Sequence, residues 1–258
     1  MPVRAGLIVT DSKTLKPNHR RMWFAAPLVL LALVLLLALG TWQVKRMYWK
    51  EALLADIQQR TQAPAAPLAQ IEAMAKSGDD IEYRTVTVSG TFDHAKEQHF
   101  FATFQGQTGY YIYTPLRLVD GRSIFINRGF VLYDMKDPAK RAEGEVEGLV
   151  TVEGLARARL DAKPSSLLPD NEPGKNIYYW KDLSAMARSA ALPPDQVLPF
   201  FVDANDAPNP GGWPKGGVTL IDLPNNHLQY AITWYGLALA LVIVVGFAYV
   251  RGVRNSRE

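Results

Sequence analysis

The sequence predicts an α+β membrane protein in which two transmembrane helices, one near each end, flank one β-dominated extracytoplasmic domain, an antiparallel sheet or partial barrel. Three observations predict it. Two long blocks, Trp23–Trp42 and Ala231–Val250, contain no Asp, Glu, Lys, Arg or His. Between them lies a series of short stretches rich in Val, Ile, Thr, Phe and Tyr. Lys and Arg gather at the two chain ends.

Each apolar block is about 20 residues long, which at roughly 1.5 Å per residue covers the roughly 30 Å hydrocarbon core of a bilayer. A single charge at mid-helix would cost about 2.5–3.5 kcal/mol on insertion scales, so two uninterrupted runs mark two spans. Ala38-Leu39-Gly40 before Thr41 resembles a signal-peptide cleavage site, but the run is longer than a signal core and is read as a retained anchor. Arg4, Lys13, Lys16, Arg20 and Arg21 precede the first block and Arg251, Arg254 and Arg257 follow the second. Cationic flanks stay on the cytoplasmic side, which puts both ends inside and the middle outside; Lys45, Arg46 and Lys50 oppose this only weakly, because large domains translocate regardless of charge. The expected order is a basic tail over 1–21, a span over 22–44, the outer domain over 45–226, a second span over 227–250 and a basic tail over 251–258.

The 258 residues carry a formal charge of +3 and no cysteine. Disulfides and thiolate metal sites are thereby excluded. The basic excess lies in the helix flanks, so it reads as a topology signal and not as nucleic-acid binding.

In the middle region, Trp49, Leu53, Leu54 and Ile57 recur at helical spacing and extend the first span outward as an amphipathic helix over Tyr48–Gln59. Pro67 opens a short helix to Lys76, with Gly78 as its stop. Tyr83–Gly90, Gln98–Thr103, Tyr110–Leu118, Ser123–Val131 and Leu149–Leu155 read as strands, and Asp120-Gly121 predicts a hairpin between the third and fourth. Val86-Thr87-Val88-Ser89-Gly90 recurs as Val150-Thr151-Val152-Glu153-Gly154. That is either a pair of similar strand units or a common strand ending. Asp182 is placed as the cap of a helix carrying Leu183, Met186, Ala187 and Ala190. Pro199–Ala204 and Val218–Leu223 read as the last two strands, separated by the Pro- and Gly-rich loop Pro208–Gly217.

No P-loop, dinucleotide fingerprint, HExxH motif or nucleophile elbow is present, so an enzyme is not expected. His94, Glu97 and His99 have metal-ligand chemistry. Phe92–Gln98 falls between two strands, however, and reads as an exposed connection. His227 stands out. An Asn of Asn225-Asn226 caps the second span and sets this imidazole in its first turn, where the helix dipole favours the neutral, ligating form. Tyr230 and Trp234, three and seven residues on, share its helix stripe. The same pattern also describes an ordinary interfacial aromatic belt. Gly236 and Ala240, four apart, offer a close approach to another helix.

The chain resembles the surfeit-locus family of cytochrome c oxidase assembly factors. The resemblance is carried by Gly40-Thr41-Trp42-Gln43 with Arg46 and Trp49-Lys50, Glu82-Tyr83-Arg84, Phe92-Asp93-His94, Asn127-Arg128-Gly129-Phe130-Val131, Phe201-Val202-Asp203-Ala204-Asn205, and Asn226-His227-Leu228-Gln229-Tyr230 running into Thr233-Trp234-Tyr235-Gly236-Leu237. It implies a role in building the haem-copper catalytic subunit of a terminal oxidase, with haem a as a transient cofactor and the histidine matching His227 as iron ligand. Trp42, Tyr230 and Trp234 are then expected against the macrocycle, and Arg84, Asn127 and Arg128 in partner contacts. The expected partners are the oxidase catalytic subunit, haem a synthesis enzymes and membrane lipid. The alternatives are a haem-free scaffold for the oxidase subunit and, more remotely, a transmembrane receptor, for which the short end segments leave little signalling domain. A bacterial inner membrane is expected, since no Arg- and Ser-rich presequence is evident; the mitochondrial inner membrane is the other setting.

Overall fold

The computed structural model describes residues 19–219, 221 and 224–255. Residues 1–18 and 256–258 of the two basic tails, and Leu220, Asp222 and Leu223 of the expected last strand, lie outside them. In chain order the elements are α1 (His19–Gln62), β1 (Ala66–Pro67), α2 (Leu68–Ser77), β2 (Thr85–Phe92), β3 (Gln98–Phe104), β4 (Gln107–Leu118), β5 (Ser123–Leu132), β6 (Leu149–Ala158), α3 (Leu183–Ser189), β7 (Val197–Ala204) and α4 (His227–Asn255). They form two compact units, Leu54–Asp222 and the two terminal segments together.

In the terminal unit, α1 and α4 are both long and apolar enough to cross a membrane. Their outward side chains, among them Leu28, Leu30, Leu31, Val242, Ile243 and Phe247, are exposed. A soluble protein would bury such helices in its core; here only one seam is covered, so the rest requires an apolar surrounding. The seam is formed by Gly40 and Gln43 of α1 and by Ala231 and Ala238 of α4. Small residues let the backbones come close. A Cβ on Gly40 would stand 2.8 Å from the Tyr235 ring. Gly236 and Ala240 face outward instead, with nothing within 4 Å of a Cβ on Gly236. Small residues recur all round α4, and the face in use is the one that begins at His227.

The other unit is a closed five-stranded barrel, β2-β6-β7-β5-β4, with β1 and β3 added at its edges. It is more complete than a partial barrel and not wholly antiparallel, because β7 lies parallel to β5. The Asp120-Gly121 turn joins β4 to β5 in the expected antiparallel hairpin. Val86, Val88, Leu116, Ile124, Ile126, Ala156, Phe200 and Val202 fill the interior, and α2 lays Ile71 against them. Each of the larger of these contributes roughly 1.5–3 kcal/mol relative to exposure. On the outer face, Tyr113, Phe125 and Phe201 pack under α3 and Tyr178, which is why β5 is buried along almost its whole length. Asp182 caps α3 by accepting from the Ala185 amide, and Gly78 ends α2 in the left-handed conformation, both as the sequence predicts.

The repeated Val-x-Val-x-Gly segments are direct neighbours: Val88 pairs with Val152, Val86 with Gly154 and Gly90 with Val150. They are similar units with a shared reason for the glycine. A Cβ on Gly90 would lie 2.4 Å from the Arg117 carbonyl oxygen, and one on Gly154 would lie 2.2 Å from that of Asp203. At each point another strand, β4 or β7, crosses closely on its way to closing the barrel.

Three strand expectations change. Tyr83, expected to start a strand, has φ +60° and belongs to the preceding turn, which Arg84 Nε fixes by donating to the Asp80 carbonyl at 3.0 Å. β6 continues to Ala158 because β7 supplies a second partner from Gly154 onward. Val218, Thr219 and Ile221 form no strand.

Candidate functional site

His227 is the first residue of α4, as the Asn225-Asn226 signal predicts, and the Tyr230 amide donates to the Asn226 carbonyl to close the first turn. Its Nδ1 lies 2.7 Å from Oε1 of Gln43, which is only 9% exposed. Thr41 Oγ1 and the Tyr235 hydroxyl share a hydrogen bond of 3.0 Å, and Lys50 donates to the Pro224 carbonyl. The block Gly40-Thr41-Trp42-Gln43 thus supplies packing, a hydroxyl and an amide to the start of α4. Among the described residues, Nε2 of His227 has no hydrogen-bond partner.

The aromatic residues assigned to the same site divide. Trp42 is 52% exposed, Tyr230 56% exposed and Trp234 half-buried. No ring contact joins any two of them among the described residues. Gln43, Lys50 and Tyr235 were not singled out by local pattern; the available signal was a polar Gln directly after an apolar span.

Arg84, Asn127 and Arg128 are not gathered into one surface. Arg84 serves the turn described above. Asn127 and Arg128 are each 3% exposed. Asn127 donates to Asp203 Oδ1 at 3.0 Å and accepts from the Gly129 amide at 3.1 Å. Arg128 lies 4.8 Å from the Phe92 ring centroid, with Nη1 3.3 Å from His94 Nδ1 and Nη2 donating to the Gly144 carbonyl. Burial pushes this guanidinium down to about 10, partly opposed by Glu97. A cleft of about 260 Å³ opens beside it, lined also by Val150, Val152, Asn205 and Asn209. Glu153 lines the same cleft, and Arg128 is committed to tying the segment before β6 to the loop after β7.

Asp203 is a second buried node, accepting from Asn127, from Thr219 Oγ1 at 2.8 Å and from Arg157 Nη1 at 3.2 Å. These bonds bring β5, β6 and the segment after β7 to one carboxylate.

The connection before β3 is exposed at Ala95 and half-buried at Asp93, His94 and Lys96, and so is less open than expected. Glu97 at its end is buried, as are Gln98 and His99 at the start of β3, and Arg141, also buried, reaches Glu97. His99 Nε2 lies 2.8 Å from the same carboxylate oxygen, while His94 Nε2 lies 3.0 Å from the Val146 carbonyl. The two imidazoles are thus engaged separately, and no group of three or more metal-ligating side chains forms among the described residues.

Burial pushes the Glu97 carboxyl up, but the bond from His99 and the charge and bond of Arg141 outweigh it, so it titrates below its ordinary value of 4.5. A carboxyl lowered in the folded state stabilises fully above its unfolded value and loses that contribution as pH falls through the folded one. Thermal melts of the purified protein are therefore expected to drop in midpoint below about pH 4.5. Glu97→Gln should remove that part of the slope and cost roughly 3–5 kcal/mol at neutral pH by leaving buried Arg141 with only the more distant carboxylate of Glu145, 3.7 Å away.

Comparison with known proteins places these residues in context. Residues 30–239 match the SURF1 family. Surfeit locus protein 1 of Homo sapiens is 34% identical over 97% of this chain and 85% of its own length. That of Rattus norvegicus is 38% identical over 78% of this chain and 68% of its own length. A SURF1-like protein of Monosiga brevicollis is 35% identical over 86% of this chain and 87% of its own length.

Proposed function

The chain belongs to the SURF1 family, and from that premise we propose that it is a non-enzymatic assembly factor for the haem-copper terminal oxidase, binding haem a through His227 and aiding its delivery to the catalytic subunit. The observation that carries the proposal is the state of His227: one ring nitrogen is engaged by Gln43, and the other has no protein partner among the described residues. An imidazole held in this way suits an iron ligand. Exposed Trp42 and Tyr230 and half-buried Trp234, on the same helix segments, offer apolar faces of the kind a macrocycle packs against. Haem a, when bound, would supply an iron for the His227 imidazole to ligate.

Both helices cross the membrane in this proposal, with their basic ends on the cytoplasmic side of a bacterial inner membrane, or the matrix side of a mitochondrial one, and the barrel on the opposite side. The oxidase catalytic subunit and the enzymes that make haem a are the proposed partners.

The test is the visible absorption spectrum of the protein purified from cells that make haem a. Bound haem a is expected. A haem-free protein on which oxidase assembly still depends would replace this proposal with that of a scaffold for the catalytic subunit.

A further inference from the structure

We propose that Gln43 is the positioning residue for His227: its amide oxygen accepts the Nδ1 proton and leaves Nε2 as the nitrogen with the free lone pair. The inference rests on the haem proposal above and names the residue of α1 that prepares the ligand on α4. A carbonyl oxygen can only accept, so a neutral imidazole 2.7 Å from Oε1 carries its proton on Nδ1. The lone pair then belongs to Nε2, which meets no other hydrogen-bonding group among the described residues.

Two further observations favour orientation over mere packing. Gln43 is buried in the seam, where a polar side chain is costly unless bonded, and His227 is its hydrogen-bond partner. The register of the two helices is also held elsewhere, by Gly40 against Tyr235, by Thr41 to Tyr235 and by Lys50 to the Pro224 carbonyl. The Gln43 bond is therefore free to set the ring's tautomer and rotation, the task that outer-shell carbonyls and carboxylates perform for ligating histidines.

The experiment has two arms. In the first, the full chain, free of haem and labelled with ¹⁵N at its histidines, is examined in detergent at pH 8 by NMR that correlates ring nitrogens with ring protons, with His227→Ala giving the assignment. The wild type is expected to show the Nδ1–H tautomer at His227, Gln43→Leu to revert to the Nε2–H form that a free histidine side chain prefers, and Gln43→Glu to retain Nδ1–H. Thr41→Val, which removes a neighbouring interhelical bond, should leave the tautomer unchanged. An Nε2–H signal in the wild type, or a tautomer indifferent to Gln43→Leu, overturns the proposal.

The second arm titrates haem a into the same proteins. Gln43→Leu is expected to weaken binding by about 10- to 100-fold while Gln43→Glu stays near wild type. Equal affinity for Gln43→Leu and wild type overturns the proposal even if haem a binds through His227. A Gln43-dependent tautomer in a chain that binds no haem a would uphold the positioning and remove the haem proposal instead.

Discussion

Replacing His227 by alanine is expected to strip haem a from the purified protein while leaving the chain folded and in the membrane. The substitution removes the proposed iron ligand, so the loss of affinity should exceed the about 100-fold that an outer-shell partner can cause. The structural cost is small by comparison. Gln43 is left buried without its partner, worth about 1–3 kcal/mol, and the Thr41–Tyr235 and Lys50–Pro224 contacts still hold α1 to α4. His94→Ala and His99→Ala serve as controls, because those imidazoles answer to Val146 and Glu97. Absorption spectra of the three variants, purified in parallel at matched protein concentration, check the expectation. An unchanged haem a band in His227→Ala would remove the histidine from the site.

A large loss of stability is expected from Gly129→Ala. Gly129 has φ +125°, a region that residues with a side chain rarely enter. Space is also closed: a Cβ there would lie 1.9 Å from the Lys215 carbonyl oxygen and 2.7 Å from the Gly216 nitrogen. Phe130 and Lys215 exchange two backbone hydrogen bonds beside it, of 2.8 and 2.9 Å, so the loop after β7 cannot move away without breaking them. Backbone strain and lost bonds together should cost about 4 kcal/mol or more, a large share of the 5–15 kcal/mol that holds a typical domain. Limited proteolysis and thermal melts in detergent measure it. A midpoint within about 2 °C of wild type would show that the loop accommodates the methyl group, a shift smaller than about 1 kcal/mol produces.

Local pattern reached the elements and fell short where burial depends on distant partners. β4 and β5 were legible because β-branched and aromatic residues flank an Asp-Gly turn, and α3 because Asp182 precedes its apolar face. Glu97 read as exposed because Phe92–Gln98 falls between two strands; in the fold Arg141, from a separate turn before β6, reaches it. Arg128 likewise looks like a surface cation until Gly144 and Asn209 close over it. At the candidate site, helix spacing and a capping signal singled out His227. Its partner Gln43 lies 184 residues earlier, a separation that no periodicity within one helix can bridge. Gly236 and Ala240 turn away from α1, since spacing alone does not say which face of an apolar helix meets a given neighbour.

The place of β7 has a consequence for biosynthesis. It is the last strand to leave the ribosome, yet it sits in the middle of the sheet, between β6 and β5. Until residue 204 is synthesised, the nascent chain holds a half-built sheet with two bare edges, the kind of surface that recruits other strands. The segment that completes it ends shortly before α4 begins at residue 227. Closure of the barrel and emergence of the second apolar helix are thus neighbouring events in translation, and a chain halted before residue 204 would be left with those two edges unpaired.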